Sequence, residues 1–250
     1  VPTELRIVSV PGIPEVSAGA DLAELIVGAL LACGFALETG DVVVVAQKIV
    51  SKAERAVVAL AGVEPSPRAA EWAAAYGKDP AVIEVVLRES RRLVRMERGI
   101  IIAETRHGFI CANAGVDASN VPQGYVTVLP SDPDRSAARL QRTLTARVGR
   151  AVGVIVSDTF GRPWRDGVVN VALGVAGLRP LLDYRGTRDR FGHLLQSTVI
   201  AVADEIAGAA ELVMGKTTAT PVVIVRGAAE WLGEGTGAML LRPASMDLFP

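Results

Sequence analysis

Gly99-Ile-Ile-Ile-Ala-Glu-Thr-Arg-His-Gly-Phe-Ile-Cys-Ala112 is the stretch that decides the fold class. Two short apolar runs, Gly99 to Ala103 and Phe109 to Ala112, flank Arg106-His-Gly108. Runs this close in sequence read as a hairpin of antiparallel strands. A chain built only from parallel βαβ units would put a helix between them.

Working outward, the strands alternate with helices irregularly. Leu5 to Val10 alternates and predicts a strand, followed by the turn-forcing Pro11-Gly-Ile-Pro14. Asp21 can cap a helix through about Gly34, with apolar residues at Leu22, Leu25, Ile26, Ala29 and Leu30. Val42-Val-Val-Val-Ala46 is β-branched and unbroken, so it predicts a strand buried on both faces. Pro65 to about Arg95 predicts helix in two pieces, split at Gly77-Lys-Asp-Pro80. Beyond the hairpin, Gly124 to Leu129 predicts a strand, and Asp132 or Asp134 can cap a helix to about Val148. Ala151 to Val156 predicts a buried strand ending at Ser157-Asp158-Thr159. Gly161 to Gly192 is rich in Gly, Arg and Asp and reads as long loops. Val199 to about Met214 predicts strand then helix, and Pro221 to Val225 a last strand. The expectation is a mixed α+β fold with antiparallel-rich sheets and flanking helices.

Composition narrows the function classes. The chain has 250 residues, half of them hydrophobic, enough for one large domain or two small intertwined ones. A formal net charge of -1 gives no global field for nucleic acid or an anionic membrane, so an anionic ligand must be met locally. Cys33 and Cys111 fit no CxxC pattern, and His107 and His193 lack partners at zinc spacing. Leu22 to Ala32 is too short to span a bilayer, and the first residues carry no secretory leader pattern. The expected location is cytoplasmic.

Two motifs invite a phosphate-loop or dinucleotide reading. Ala210 to Thr217 matches the loose P-loop pattern through Gly215-Lys216-Thr217, but a P-loop opens a helix, whereas this one follows a predicted helix. A helix stop at Gly215 is the plainer reading. Gly233-Glu-Gly-Thr-Gly237 has no βαβ unit after it and reads as a loop.

The groups best suited to chemistry lie elsewhere. Asp158 and Thr159 sit at the end of a predicted buried strand, and Asp117 lies in the turn-rich Gly115-Val-Asp-Ala-Ser-Asn120. Two such carboxylates could share a hard cation bound to a nucleotide, with Thr159 adding its hydroxyl or its carbonyl. Asp in a turn is equally a common turn former. Phe160-Gly-Arg-Pro-Trp-Arg-Asp-Gly167 and Asp183-Tyr-Arg-Gly-Thr-Arg-Asp-Arg-Phe-Gly192 set Arg162, Arg165 and Arg185 among aromatics, as in a clamp for phosphate or carboxylate or in a solvated, ion-paired loop. Gln47-Lys48-Ile-Val-Ser51-Lys52 follows the valine strand and is either a phosphate-facing rim or a strand exit with surface lysines.

Taken in order, Val42 to Lys52, Gly115 to Asn120, Ser157 to Gly167, Asp183 to Gly186, Ala201 to Ile206 and Leu212 to Lys216 resemble the coenzyme F420-0:L-glutamate ligase family over nearly the whole chain. The chain looks especially like the N-terminal ligase domain of bifunctional actinobacterial-type members. There a nitroreductase-like domain follows a segment similar to Arg242 to Phe249, so this chain is expected to be a stand-alone ligase or a fragment. The resemblance implies one functional unit over residues 1–250 and an intertwined homodimer. It implies a GTP-dependent enzyme that adds L-glutamate to the precursor, or its dehydro form, and extends a γ-linked tail.

By motif, the resemblance places Mg²⁺ or Mn²⁺ on Asp117, Asp158 and Thr159, often with help from K⁺. It places nucleotide contacts on Ile13, Pro14, Glu15, Val16, Gln47, Lys52 and Asn120, and on Met214, Gly215, Lys216 and Thr217. Arg162, Arg165 and Arg185 would hold carboxylates or the precursor's phosphodiester. The family's archaeal members are expected to carry an acidic residue after Met-Gly that helps bind a second metal, and this chain has Lys216 there. Two rival readings stand beside the ligase: a P-loop NTPase centred on Lys216, and a non-catalytic nucleotide-binding dimer.

Overall fold

The computed structural model describes residues 4–247. Of the segment Arg242 to Phe249, Leu248 and Phe249 lie outside them. Strand β1 (Arg6–Ser9) leads to helix α1 (Leu22–Ala32), and β2 (Val42–Ala46) runs directly into α2 (Gln47–Ala53). The middle of the chain forms β3 (Val57–Ala59), α3 (Pro67–Tyr76), α4 (Pro80–Glu89), β4 (Ser90–Glu97), β5 (Ile100–Thr105), β6 (Ile110–Ala112) and β7 (Tyr125–Thr127). The last part holds α5 (Pro133–Val148), β8 (Gly153–Arg162), β9 (Arg165–Ala176), β10 (Leu182–Asp183), β11 (Val199–Ile200), α6 (Val202–Met214) and β12 (Val222–Arg226).

The main sheet has the order β1-β12-β2-β8-β9, with β2 and β8 parallel and the other pairs antiparallel. Its valine run is buried on both faces because successive side chains alternate. Val43 and Val45 pack with α1 and α5, while Val42 and Val44 pack with α6. β12 divides the same way, with Val222 and Ile224 on one face and Val223 and Val225 on the other. A second core joins α3 and α4 to the β4-β5-β6 sheet and the β3-β7 pair. Phe109, Leu129 and Leu173 pack between that part and β9. The expected α+β class with antiparallel-rich sheets is what the chain adopts. Among the described residues, no helix is long and apolar enough to cross a membrane.

Local chemistry sets the helix ends. Asp21 Oδ1 accepts the Glu24 N–H at 3.0 Å, and Asp132 Oδ1 accepts the Arg135 N–H at 2.9 Å. Ser66 and Asp79 cap α3 and α4, each followed by a proline at the first helical position. Asp134 does not cap. It accepts from the N–H of Val175 at 2.9 Å and of Gly237 at 2.5 Å, tying the tail to β9.

Three expectations are corrected. The helix expected to reach Arg95 stops at Glu89, and Ser90 to Glu97 pairs with β5 as an edge strand. Cross-strand pairing there outweighs local helix propensity. The strand expected to end at Ser157-Asp158-Thr159 runs on to Arg162, and the start of the Gly161 to Gly192 stretch is no loop. Val168, Val169 and Val171 continue the ladder opposite β8, making one long hairpin whose tip carries Trp164 at φ 58°. Gln47 to Lys52, read as either a phosphate-facing rim or a strand exit with surface lysines, belongs to a short helix with Gln47, Ser51 and Lys52 buried, so the surface-lysine alternative fails for Lys52.

Candidate active site

β2 and β8 lie side by side and parallel, with Ala46 opposite Ser157. A cleft of about 770 Å³ opens where they end this pairing. Its walls come from the Ile13 to Val16 turn, the start of α2, the segment before β7, the middle of β8 and the loop after α6.

Asp117 stands on one wall. Its backbone exchanges two hydrogen bonds with Thr127, at 3.0 and 2.8 Å, which fixes the direction of its side chain. Oδ1 accepts the Ser119 N–H at 2.6 Å, and Oδ2 pairs with Lys48 Nζ at 2.8 Å. Lys48 also donates to Ser119 Oγ. Burial works against the charged form of Asp117, but the Lys48 and Ser119 hydrogen bonds and the Lys48 charge outweigh it. The carboxyl therefore sits below its ordinary range.

Asp158 behaves in the opposite way. Burial pushes its carboxyl up to about 6, and the charge of Asp117 adds to the rise. The Thr159 N–H, Lys48 and Lys216 oppose it without cancelling it. Cys111 lies close by, and burial followed by the Asp158 charge pushes its thiol up to about 12. That sulfur is a packed thiol rather than a nucleophile.

Successive residues on a strand face opposite ways. Asp158 is turned toward Asp117 and Cys111, whereas Thr159 points to the α6 side. There Thr159 Oγ1 donates to Asn170 Oδ1 at 2.7 Å and receives Lys216 Nζ at 2.5 Å. Thr159, Asn170 and Lys216 all line the same cleft as Asp158, so this small network is part of its wall.

Cations line the rim. Lys52 is paired with Glu15 at 2.5 Å, and Lys216 with Glu211 at 2.8 Å. Gln47 Nε2 donates to Ser51 Oγ at 2.5 Å and to Val128 O at 3.2 Å, so the Val128 carbonyl dictates the amide orientation. Gln47 Oε1 and Ser157 Oγ are then buried without a hydrogen-bond partner, and both residues line the cleft. A buried polar atom left unpaired costs about 1–3 kcal/mol, so such atoms commonly mark a bound ligand or water.

The cleft gathers Asp117, Asp158 and Thr159, and with them Ile13, Pro14, Glu15 and Val16. Gln47, Lys52 and Asn120 join them, as do Met214, Gly215, Lys216 and Thr217. Arg162, Arg165 and Arg185 are not among its walls. Arg162 donates to the Asp166 carbonyl on the β8-β9 arm, and Arg185 pairs with Asp183 on the β10-β11 arm. Sequence reasoning missed Asn170, although it is the one polar side chain in the run Val168 to Val175. It missed Ser157 as well, because an orphaned hydroxyl leaves no sequence signal.

These residues fit one hard divalent cation. Two carboxylates face the same space, where burial raises Asp158 and the Asp117 charge adds to the rise. Among the described residues no group of three or more His, Cys, Asp or Glu side chains converges as a metal cage. Mg²⁺ characteristically binds through one or two carboxylates and takes its other oxygens from substrate phosphates and water. A P-loop is excluded by topology. α6 ends at Met214, and Gly215, with φ 62°, stops the helix instead of opening one.

Comparison with known proteins identifies the family. The family model described as F420-0:Gamma-glutamyl ligase matches residues 12–227. A protein from Methanothermobacter thermautotrophicus is 48% identical over 249 residues, covering 98% of each chain. One from Methanopyrus kandleri is 50% identical over 250 residues, covering 98% of this chain and 97% of its own. A third, from Methanocaldococcus jannaschii, is 44% identical over 216 residues and 86% of each chain. All three are named coenzyme F420:L-glutamate ligase. The matched span runs from the Ile13 turn through Asp117, Asp158 and Lys216 to the end of β12, and with it the chain belongs to the F420-0:gamma-glutamyl ligase family.

Proposed function

We propose that this chain is a ligase that joins L-glutamate to coenzyme F420-0 or its dehydro precursor, driven by GTP, and extends a γ-linked glutamate tail. Family membership supports glutamate ligation to F420. The observation that carries the finer reading is the cleft in which three carboxylates, Glu15, Asp117 and Asp158, meet three lysines, Lys48, Lys52 and Lys216. A cleft of mixed sign suits a nucleoside triphosphate that must be neutralised while a second anion approaches it.

The proposed chemistry has two steps. A carboxylate oxygen of the precursor attacks the γ-phosphorus, the bond to the β-phosphate oxygen breaks, and an acyl phosphate and GDP form. The glutamate amine then attacks the acyl carbon, phosphate leaves, and the amide nitrogen loses a proton to solvent. Mg²⁺ or Mn²⁺ held by Asp117, Asp158 and Thr159 would supply neutralisation of phosphate oxygens. Lys216 and Lys52 would hold the polyphosphate from the rim, and Gln47 Oε1 would accept a donor from the nucleotide. K⁺ would assist the same neutralisation, and rates with and without K⁺ test it.

The long exposed arms suit the remaining expectations. Trp164, Val168 and Phe191 are exposed on the β8-β9 and β10-β11 arms, as an intertwined homodimer would require. Arg162, Arg165 and Arg185 on those arms would hold anionic parts of a long substrate outside the cleft.

The test is direct. The protein is incubated with the precursor, glutamate, Mn²⁺ and either GTP or ATP, with and without K⁺, and products are weighed by mass spectrometry. Glutamylated product with GTP supports the reading, and no product from folded protein overturns it. Asp117→Asn and Asp158→Asn are each expected to lower the rate by about 10²-fold or more, the usual scale for losing one charge-stabilising group.

A further inference from the structure

Lys48 sits at the start of α2, where the helix leaves β2 without an intervening loop. The backbone there is held by the sheet, but the side chain crosses the cleft to a different element. Its ammonium meets Asp117 Oδ2 at 2.8 Å and donates to Ser119 Oγ. Its charge also reaches Asp158. The other two rim lysines differ. Lys52 is tied to Glu15, and Lys216 to Glu211 and Thr159. Only Lys48 has one of the two facing carboxylates as its ion-pair partner.

That carboxylate is the one that a divalent cation needs. An ammonium and a divalent ion cannot share Asp117 without like-charge repulsion, which the low polarity of a half-buried cleft screens poorly. Lysine is a compact charge on a flexible four-carbon stem with three donors, so it can change partner while its helix stays still.

We propose that Lys48 is a movable counter-ion: it neutralises Asp117 until a divalent cation binds there, and then swings to an oxygen of the phosphoryl group in transfer. The second half rests on the ligase reading given above; the first half does not. The device would keep two facing carboxylates from repelling each other in the empty site. It would also deliver a positive charge to the phosphoryl group at the moment the cation arrives.

The test titrates Mn²⁺ into native, Lys48→Met and Lys48→Arg protein without nucleotide, followed by electron paramagnetic resonance. Steady-state rates are measured alongside. Removing the internal competitor is expected to tighten Mn²⁺ binding in Lys48→Met by about tenfold, the equivalent of ~1.4 kcal/mol. The same variant is expected to lose about 10²-fold in kcat. Lys48→Arg keeps the charge and is expected to bind Mn²⁺ as weakly as native protein. Unchanged or weaker Mn²⁺ binding in Lys48→Met overturns the proposal, as does Lys48→Arg binding as tightly as Lys48→Met. Native kcat in Lys48→Met overturns it too. If native protein makes no glutamylated product, the ligase reading falls, while the Mn²⁺ titration still decides whether Lys48 competes for Asp117.

Discussion

Lys216 Nζ lies 2.5 Å from Thr159 Oγ1 and 2.8 Å from Glu211 Oε1, so one ammonium ties the loop after α6 to the middle of β8. Thr159 passes the contact on to Asn170 across the β8-β9 ladder. The loop that closes one side of the cleft is therefore held by a charged side chain that is itself 56% exposed.

Lys216→Ala is expected to leave stability almost unchanged, because an exposed ion pair contributes about 0–1 kcal/mol. It is expected to raise the KM for nucleotide by about tenfold, through loss of one phosphate-facing charge and of the loop tether. Thermal melting and nucleotide KM measured on the same preparation check both halves. A large drop in melting temperature would show that the residue acts on the fold and not on the site.

The Asp158 carboxyl gives a pH signature with a definite sign. Its folded value of about 6 lies above the ordinary 3.8, so the folded state holds the proton more tightly than the unfolded chain. That contribution is fullest below about pH 4, declines as pH rises through 4 to 6, and is flat above. Asp183 and Glu84, held low by hydrogen bonds from Arg185 and Ser66, change in the opposite sense. The comparison that isolates Asp158 is native protein against Asp158→Asn. The variant is expected to gain on native protein by about 2 kcal/mol between pH 4 and 7, read from urea midpoints. A constant difference across that range would mean that the carboxyl titrates normally.

Much of this was legible in the sequence, for physical reasons that differ by element. Val42 to Val45 and Val222 to Val225 are too apolar and too branched to be anything but buried strands. The pairing of Ile100 to Thr105 with Ile110 to Ala112 followed from how few residues separate them. The stretch from Ser157 to Ala176 was harder. Gly161, Arg162, Arg165, Asp166 and Gly167 read as loop, because the arm extends beyond the core and its side chains meet solvent. Local pattern raised Asp117, Asp158 and Thr159 only as candidates beside a turn-former reading, and the resemblance is what joined them to the rest of the cleft. Asp117 and Asp158 are 41 positions apart in the numbering, and the packing of β6 against β8 is part of what brings their segments together. The Lys48–Asp117 pair was beyond reach for the same reason.

The buried pair at the start of β2 predicts a stability effect away from the cleft. Asp41 is 1% exposed and receives Arg226 Nε at 2.9 Å and Nη2 at 2.8 Å. Arg226 also meets Glu38 at 2.7 Å and lies over the Phe35 ring. Arg226→Met leaves the buried Asp41 carboxylate without its counter-ion and with the Glu38 N–H as its remaining donor, which is expected to cost about 3–5 kcal/mol. Asp41→Asn with Arg226→Met together should recover part of that loss. Chemical denaturation of the single and double variants checks it, and a loss from the single variant below about 1 kcal/mol would mean that the pair behaves as a surface one.

Gly174 joins the fold to the site through a close approach. A Cβ built there would lie 2.1 Å from the Pro133 carbonyl oxygen and 2.9 Å from the Asp134 nitrogen, both backbone atoms. The first turn of α5 thus rests directly on β9, and Asp134 bonds the Val175 N–H beside it. A methyl group cannot be absorbed by rotating a side chain, so either α5 or β9 must move. Gly174→Ala is expected to cost about 1–3 kcal/mol, the range for overpacking a tight interior. Because β9 also carries Asn170, the partner of Thr159, the shift should reach the cleft as a higher nucleotide KM with Asp117 and Asp158 intact. Urea midpoints and nucleotide KM for Gly174→Ala test the two effects together, and native values for both would mean that the contact between α5 and β9 is loose enough to take a methyl group.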